Sequence, residues 1–161
     1  MNELWDLYNE KREKTGCTLL KGALIPKGEY HLVISAWIVN SEGQYLLSQR
    51  HPNKIYPYFW ECTGGSVLAS EDSLHGALRE VKEELGIELD AKSGKLIYQT
   101  RREQSQDFYD VWLFHADIDI AAISLQQTEV IKAKWVNREE LFTLFRNGKL
   151  HPLLDYIEQI I

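Results

Sequence analysis

The chain has 161 residues, is 44% apolar and 26% charged, and carries a net charge of −6. That length suits one domain with a core of its own, and that composition excludes disordered, collagenous and low-complexity classes. No apolar run approaches a membrane span, and the negative charge argues against a general affinity for nucleic-acid backbone or anionic lipid.

Met1 to Lys14 is crowded with charge and has no apolar signal core. The two cysteines, Cys17 and Cys62, make neither a disulfide framework nor a zinc set, and suit a reducing, cytoplasmic setting. Leu4, Leu7 and Tyr8 can share one side of a helix, whereas Trp5-Asp6-Leu7-Tyr8 can equally be extended; Thr15-Gly16 reads as a turn in both cases. His31 to Asn40 is apolar and rich in β-branched residues, which predicts a buried strand. Asn40-Ser41-Glu42-Gly43 is turn chemistry, so Gln44 to Gln49 should return as the second strand of a hairpin. His51 to Tyr58, with Pro52 and Pro57, predicts a loop; Phe59 to Thr63 predicts a short strand before a Gly64-Gly65 break.

From Ser70 to Leu85 the period becomes helical, with Leu74, Ala77, Leu78, Val81 and Leu85 in one stripe. Ser70 or Asp72 caps its start and Gly86 ends it. Lys95 to Glu103, Tyr109 to Asp117 and Val130 to Val136 predict further strands. Asn137 should cap a helix through Phe145 that Gly148 ends, and Pro152 should open a last helix to Ile161. The apolar residues of these two helices should close the core, with Ile160-Ile161 also available to a subunit interface, so both monomer and homodimer stay open. Strands interrupted by one helix and followed by others predict an α/β fold with a mixed sheet.

Glu80, Glu83 and Glu84 stand at i, i+3 and i+4, on one helix face beside the apolar stripe. Like charges so placed repel by about 0.2–0.5 kcal/mol per pair even in an isolated helix. A cation must offset this, and Arg79 is only one. Magnesium, a hard ion that takes few carboxylates together with substrate phosphates, suits the rest. A merely solvated acidic face is the competing explanation, and the wider spacing weighs against it. Gly65, five residues, Glu71, seven residues, then Arg79-Glu80-Val81-Lys82-Glu83-Glu84-Leu85-Gly86-Ile87 reproduces the Nudix box without a gap. Seven fixed residues at roughly one in fifteen each arise by chance about once in 10⁸ windows.

The chain thus resembles the Nudix hydrolases, which cleave a diphosphate linked to another moiety X. The resemblance implies an α/β/α sandwich around a mixed sheet, with the box as loop–helix–loop. It implies one such domain over residues 1–161, with 1–28 as an N-terminal extension packed on it. Carried over by position, Glu80, Glu83 and Glu84 would hold Mg²⁺ or Mn²⁺, helped by the Gly64 carbonyl. Arg79 would orient them, Glu71 would support the site, and Gly64 and Gly65 would turn the backbone tightly. Glu83 and Glu84 are the candidate general bases, with Glu103, Asp107, Asp110 or Glu129 as acids beyond the box. Arg50, His51, Lys54, Arg101 and Arg102 are candidates for phosphate, and Tyr56, Tyr58, Phe108 and Tyr109 for stacking on X. His31 should be a hydrogen-bonded core histidine, and His75, His115 and His151 show no ligand spacing.

Outside the box, Tyr30-His31-Leu32-Val33, Trp37-Ile38-Val39-Asn40, Gln49-Arg50 and Phe59-Trp60 are similar to the branch that includes type I isopentenyl-diphosphate isomerases. Trp5-Asp6-Leu7-Tyr8 with Thr15-Gly16 belongs to the same pattern, which favours a strand there. Aligned on Trp60, however, the isomerase cysteine falls at Gly65 and a metal-binding histidine at Val67, with Cys62 three residues away; aligned through Phe114, the isomerase glutamate falls near Tyr109. These departures favour metal-dependent hydrolysis of a small-molecule diphosphate over isomerisation, and the intact box favours it over non-catalytic nucleotide binding.

Overall fold

The structure is a computed structural model that describes residues 2–161, so Met1 of the expected 1–161 span lies outside the described residues. The sheet is built on β3 (His31–Val39), whose successive side chains alternate between two cores. Leu32, Ile34, Ala36 and Ile38 enter one core with Ala77, Val81 and Leu85 of α1 (Ser73–Leu85). Trp37 enters the other with Leu141 and Phe142 of α2 (Arg138–Arg146) and Ile157 of the short α3 (Ile157–Ile160). Both faces of the sheet are therefore apolar and each is covered by helix, which is the α/β/α sandwich.

The sheet is mixed. β8 (Asp107–His115) runs parallel to β3 along its full length, with β7 (Lys95–Arg102) antiparallel outside it. β6 (Thr63–Ser66) pairs antiparallel with β3, Ile34 opposite Gly65. β4 (Tyr45–Arg50) pairs with β9 (Val130–Val136) and with β5 (Trp60–Glu61). The expected hairpin of β3 and β4 touches only at Val39 and Tyr45, because β4 leaves to join β9. Gly64-Gly65 lies within a strand, not at a break, and Pro152 opens a separate 3-10 turn (Pro152–Leu154) ahead of α3. The helix cap is Asp72, whose carboxylate accepts from His75 N; Ser70 instead has φ of 72° in the preceding turn. Gly86 ends α1 at φ 68°, as expected.

The N-terminal segment is a hairpin of β1 (Leu4–Tyr8) and β2 (Lys14–Leu20), with Trp5 and Leu7 facing inward. Thr15-Gly16 does not turn the chain. It forms a bulge inside β2, where pairing slips from Asp6–Thr18 to Tyr8–Lys14. The hairpin is tied down at three places. Tyr8 and Tyr30 exchange backbone bonds, Arg12 forms a two-armed ion pair with buried Asp110, and Leu4 O and Asp6 Oδ2 accept from Ala69 N and Ser70 N. His31 is buried and stacked on Trp5 at 3.9 Å, yet its Nδ1 has no partner, so the expected hydrogen bond is missing. Among the described residues no helix is long and apolar enough to cross a membrane.

Candidate active site

The start of the box runs along β6 and its end along α1, and the two segments pack against each other to form one wall of a cleft. Gly65 sits where a Cβ would come within 2.3 Å of the Glu80 carboxyl. Its backbone is extended with no positive φ, which corrects the tight-turn expectation: glycine is needed here for space, not for conformation. Glu80 and Glu84 are 8% and 4% exposed, whereas the Glu83 side chain is nearly half exposed.

Arg79 organises this wall. Its Nε and Nη2 donate to the two oxygens of Glu71 at 2.8 and 3.0 Å, and Nη2 also donates to Ser66 O. Nη1 reaches Glu80 at 3.0 Å and Glu83 at 3.2 Å. Burial disfavours its charge, but the bonds from Glu71 and Glu80 outweigh that and raise its proton affinity. Glu71 in turn accepts from Leu68 N at 2.9 Å, fixing the loop before the helix. Glu84 has no such help. Its Oε2 is buried without a hydrogen-bond partner, and burial, then the charges of Glu61 and Glu80, push its pKa well above the usual carboxylate range. Glu80 is raised as well, by burial first, against the opposing effect of Arg79.

The cleft measures about 360 Å³ and is lined by Gly64, Gly65, Ser66, Glu80, Glu83 and Glu84 on one side. Lys21, Glu3, Lys54, Gln126 and Glu129 complete it. Gln126 N donates to the carbonyl of Glu84, which brings the 126–129 loop to the end of α1, and Lys54 pairs with Glu129 there. Among the described residues no three acidic, histidine or cysteine side chains already converge on one point. An orphaned buried carboxylate oxygen, two further carboxylates and a glycine that keeps the space clear nevertheless suit a hard divalent cation, which prefers oxygen ligands.

Of the expected residues, the structure brings together Glu80, Glu83, Glu84, Gly64, Gly65 and Lys54, with Arg79 and Glu71 behind them. Of the four acids expected beyond the box, Glu129 alone reaches the cleft, where the unexpected Glu3 joins it. Asp107 and Asp110 are buried in ion pairs with Arg102 and Arg12, and Glu103 lies at the surface with Tyr30 and Arg101. Arg101 and Arg102 therefore do not meet phosphate in this cleft. Phe108 and Tyr109 are core residues, Tyr109 bonding Ser35 and Tyr156 through its hydroxyl, and neither can stack on a ligand. Tyr58 is exposed outside the cleft, and Arg50 turns into a neighbouring hollow. Sequence reasoning missed Glu3, Lys21 and Gln126 in the cleft and Glu61 beside it, which belong to no periodic pattern and are recruited by chain topology; Ser66, next to Gly65, reads in the sequence only as a spacer.

The NUDIX domain family matches residues 29–156. An uncharacterised Nudix hydrolase of Listeria monocytogenes is 39% identical over 93% of this chain and 89% of its own length. A Deinococcus radiodurans protein of known crystal structure superposes with a TM-score of 0.78 at 25% identity, covering 98% of this chain and 99% of that one. An isopentenyl-diphosphate delta-isomerase of Dictyostelium discoideum is 29% identical over 76% of this chain and 61% of its own length.

Proposed function

Since the chain belongs to the Nudix hydrolase family, we propose that it cleaves the diphosphate linkage of a nucleoside diphosphate-X or related small molecule by attack of water at phosphorus. The observation that carries this reading is the buried, unpartnered Oε2 of Glu84 in a cleft walled by Glu80 and Glu83. Glu80, Glu83 and Glu84, with the Gly64 carbonyl, would hold magnesium or manganese. When bound, such an ion acidifies water and neutralises charge on the diphosphate. Lys21 and Lys54 face the same cleft and would bind phosphate oxygens. Glu83 and Glu84 are the candidate bases, and general-base catalysis by either is worth about 10²–10⁴-fold. Arg79 holds Glu80 and Glu83 in register through its contacts with Glu71 and Ser66 O.

We also take residues 1–161 as one domain, with 1–28 packed on it, because the hairpin lends Glu3 and Lys21 to the cleft. The free thiols of Cys17 and Cys62 suit a cytoplasmic setting. The isomerase alternative has Gly65 and the buried Tyr109 where it needs a cysteine and a glutamate. The test is a panel of nucleoside di- and triphosphates, nucleotide sugars, ADP-ribose, dinucleoside polyphosphates and prenyl diphosphates, with magnesium or manganese. Release of phosphorylated products from at least one compound is expected. Binding of metal with turnover of none would leave a non-catalytic role, and solvent deuterium entering isopentenyl diphosphate without phosphate release would leave the isomerase.

A further inference from the structure

A second hollow of about 190 Å³ adjoins the cleft, and the two share Gly64, Gly65 and Ser66 as their common wall. We propose that this hollow seats the nucleobase of a nucleoside diphosphate substrate, read by the Arg50–Glu61 pair and by His151. The proposal rests on the diphosphate reading above and supplies the part of the substrate that the box does not specify.

The hollow is smaller than the roughly 300–1,000 Å³ of pockets for drug-sized ligands, which suits a single planar group. Val33, Leu153 and Leu154 give it apolar sides. Its polar groups are a donor and an acceptor fixed side by side. Arg50 Nη1 donates to both oxygens of Glu61, at 3.0 and 2.8 Å, and Nε donates to Ile55 O at 2.8 Å. Those bonds leave Nη2 for a ligand and leave acceptor capacity on the carboxylate. Both side chains are about nine-tenths buried or nearly so, at 13% and 15% exposure, so the pair is held in place before any ligand arrives. His151 Nδ1 accepts from Leu153 N at 3.0 Å, which puts the proton of the neutral ring on Nε2 as a further donor. The ring of Tyr56 packs edge-on against it at 5.0 Å and fixes its plane.

This lining selects among chemistries. A phosphate would meet the Glu61 carboxylate, and an aliphatic group would leave the desolvated pair without new partners. A neutral ring whose edge carries an amino donor next to an acceptor satisfies both: carboxylate accepts from the amino group and guanidinium donates to the ring acceptor. Gly64 and Gly65 interpose only backbone between the hollow and the cleft, so a base seated here keeps its diphosphate beside Glu80 and Glu84.

The test is calorimetric binding, with magnesium, of α,β-methylene analogues of four nucleoside diphosphates, with methylenediphosphonate as the headgroup probe. The full chain is compared with Glu61→Gln and Leu153→Phe, each checked by thermal melting. Wild type should rank the four bases and bind the preferred one at least about tenfold tighter than the headgroup. Glu61→Gln should compress that ranking by about tenfold. Leu153→Phe should weaken every nucleotide about tenfold while headgroup binding stays within twofold, and it decides the matter if Glu61→Gln does not fold. Headgroup binding without any gain from a base overturns the inference and leaves the diphosphate reading standing. Equal losses for nucleotide and headgroup, or tighter binding of an isopentenyl diphosphate analogue, overturn it too. No headgroup binding at all sinks both.

Discussion

The two walls of the cleft are made in opposite ways. One is a single stretch, Gly65 to Gly86, in which helix period puts three carboxylates on one face and Arg79 cross-links two of them, Glu80 and Glu83, to the loop before the helix. The other draws Lys21 from the N-terminal hairpin, Lys54 from the loop after β4, and Gln126 and Glu129 from the loop before β9. The first wall is charge held against repulsion; the second is paired charge, as in Lys54 with Glu129. The contiguous wall carries its chemistry in local sequence, while the assembled wall depends on how three separate segments pack.

Breaking the first wall should have the largest effect. Glu83→Gln and Glu84→Gln should each lower turnover by about 10²–10⁴-fold on whichever compound the panel identifies. Metal-free, Glu83→Gln should melt within about 0.5 kcal/mol of wild type, and Glu84→Gln should be the more stable, since it removes a buried, unpartnered carboxyl that must hold a proton the unfolded chain has lost. The stabilisation given by added magnesium should shrink in both. Arg79→Ala should differ by losing stability as well, about 2–3 kcal/mol, because it strands Glu71 and Glu80 in a site only one-fifth exposed. Equal magnesium shifts in wild type and in all the glutamate variants would return this face to a solvated acidic surface.

Gly65→Ala sharpens the contrast by separating stability from ligation. The three atoms nearest the added Cβ all belong to the Glu80 carboxyl, the far end of a flexible side chain, so the fold should yield at about 1 kcal/mol. Magnesium affinity, read by titration calorimetry, should fall about tenfold or more because Glu80 must swing away. A Gly64→Ala control meets Ile34 O at 3.2 Å instead and should act mainly on stability.

That contrast also explains what was legible in the sequence. The stripe of Ala77, Val81 and Leu85 and the three glutamates could be read because one helix sets their relative positions before any tertiary contact forms. The strand order could not: β4 abandons its hairpin partner for β9, some eighty residues on, and only tertiary packing decides that. Glu61 and Lys21 went unnoticed for the same reason. Gly64-Gly65 misled because glycine usually signals conformation, whereas here it answers a steric need set by Glu80, fifteen residues away. Asp107, Asp110 and Tyr109 looked available as isolated letters, and only their burial with Arg102, Arg12 and Ser35 removes them.

The acidic wall should also leave a mark on pH dependence. Burial raises Glu84 and Glu80 above their unfolded values, so the metal-free native state keeps protons that the unfolded chain has lost. Their contribution is fully present below the ordinary carboxylate pKa and is lost as pH rises through the raised values. His151 works the other way. Burial, with Arg50, Lys54 and Arg102 nearby, lowers it to about 4, so its contribution is present above about 6.5 and lost as pH falls toward the folded value. Metal-free melts of Glu84→Gln should therefore gain on wild type as pH rises from about 5 to about 8. A gap independent of pH would mean that Glu84 is already ionised in the metal-free fold.

The smallest effect should fall on Cys62, which lines the neighbouring hollow and not the cleft. Its thiol is buried, and burial, then the charge of Glu61, push its pKa up, so it is no thiolate at neutral pH. It belongs to the core with Trp37, Leu47 and Tyr109, and it also lines the second hollow. Cys62→Ser exchanges sulfur for a slightly smaller, more polar oxygen beside the Ser35 hydroxyl, which can share a hydrogen bond with it. Stability should drop by about 1 kcal/mol, the price of a buried polar group with partial compensation. Turnover with magnesium should stay within about twofold, since no proton or electron pair in the proposed hydrolysis passes through sulfur. An isomerase that used this cysteine to protonate carbon would instead lose orders of magnitude of solvent exchange on the same substitution. Measuring phosphate release and deuterium incorporation on one preparation of Cys62→Ser thus sets the two chemistries against each other at a single atom.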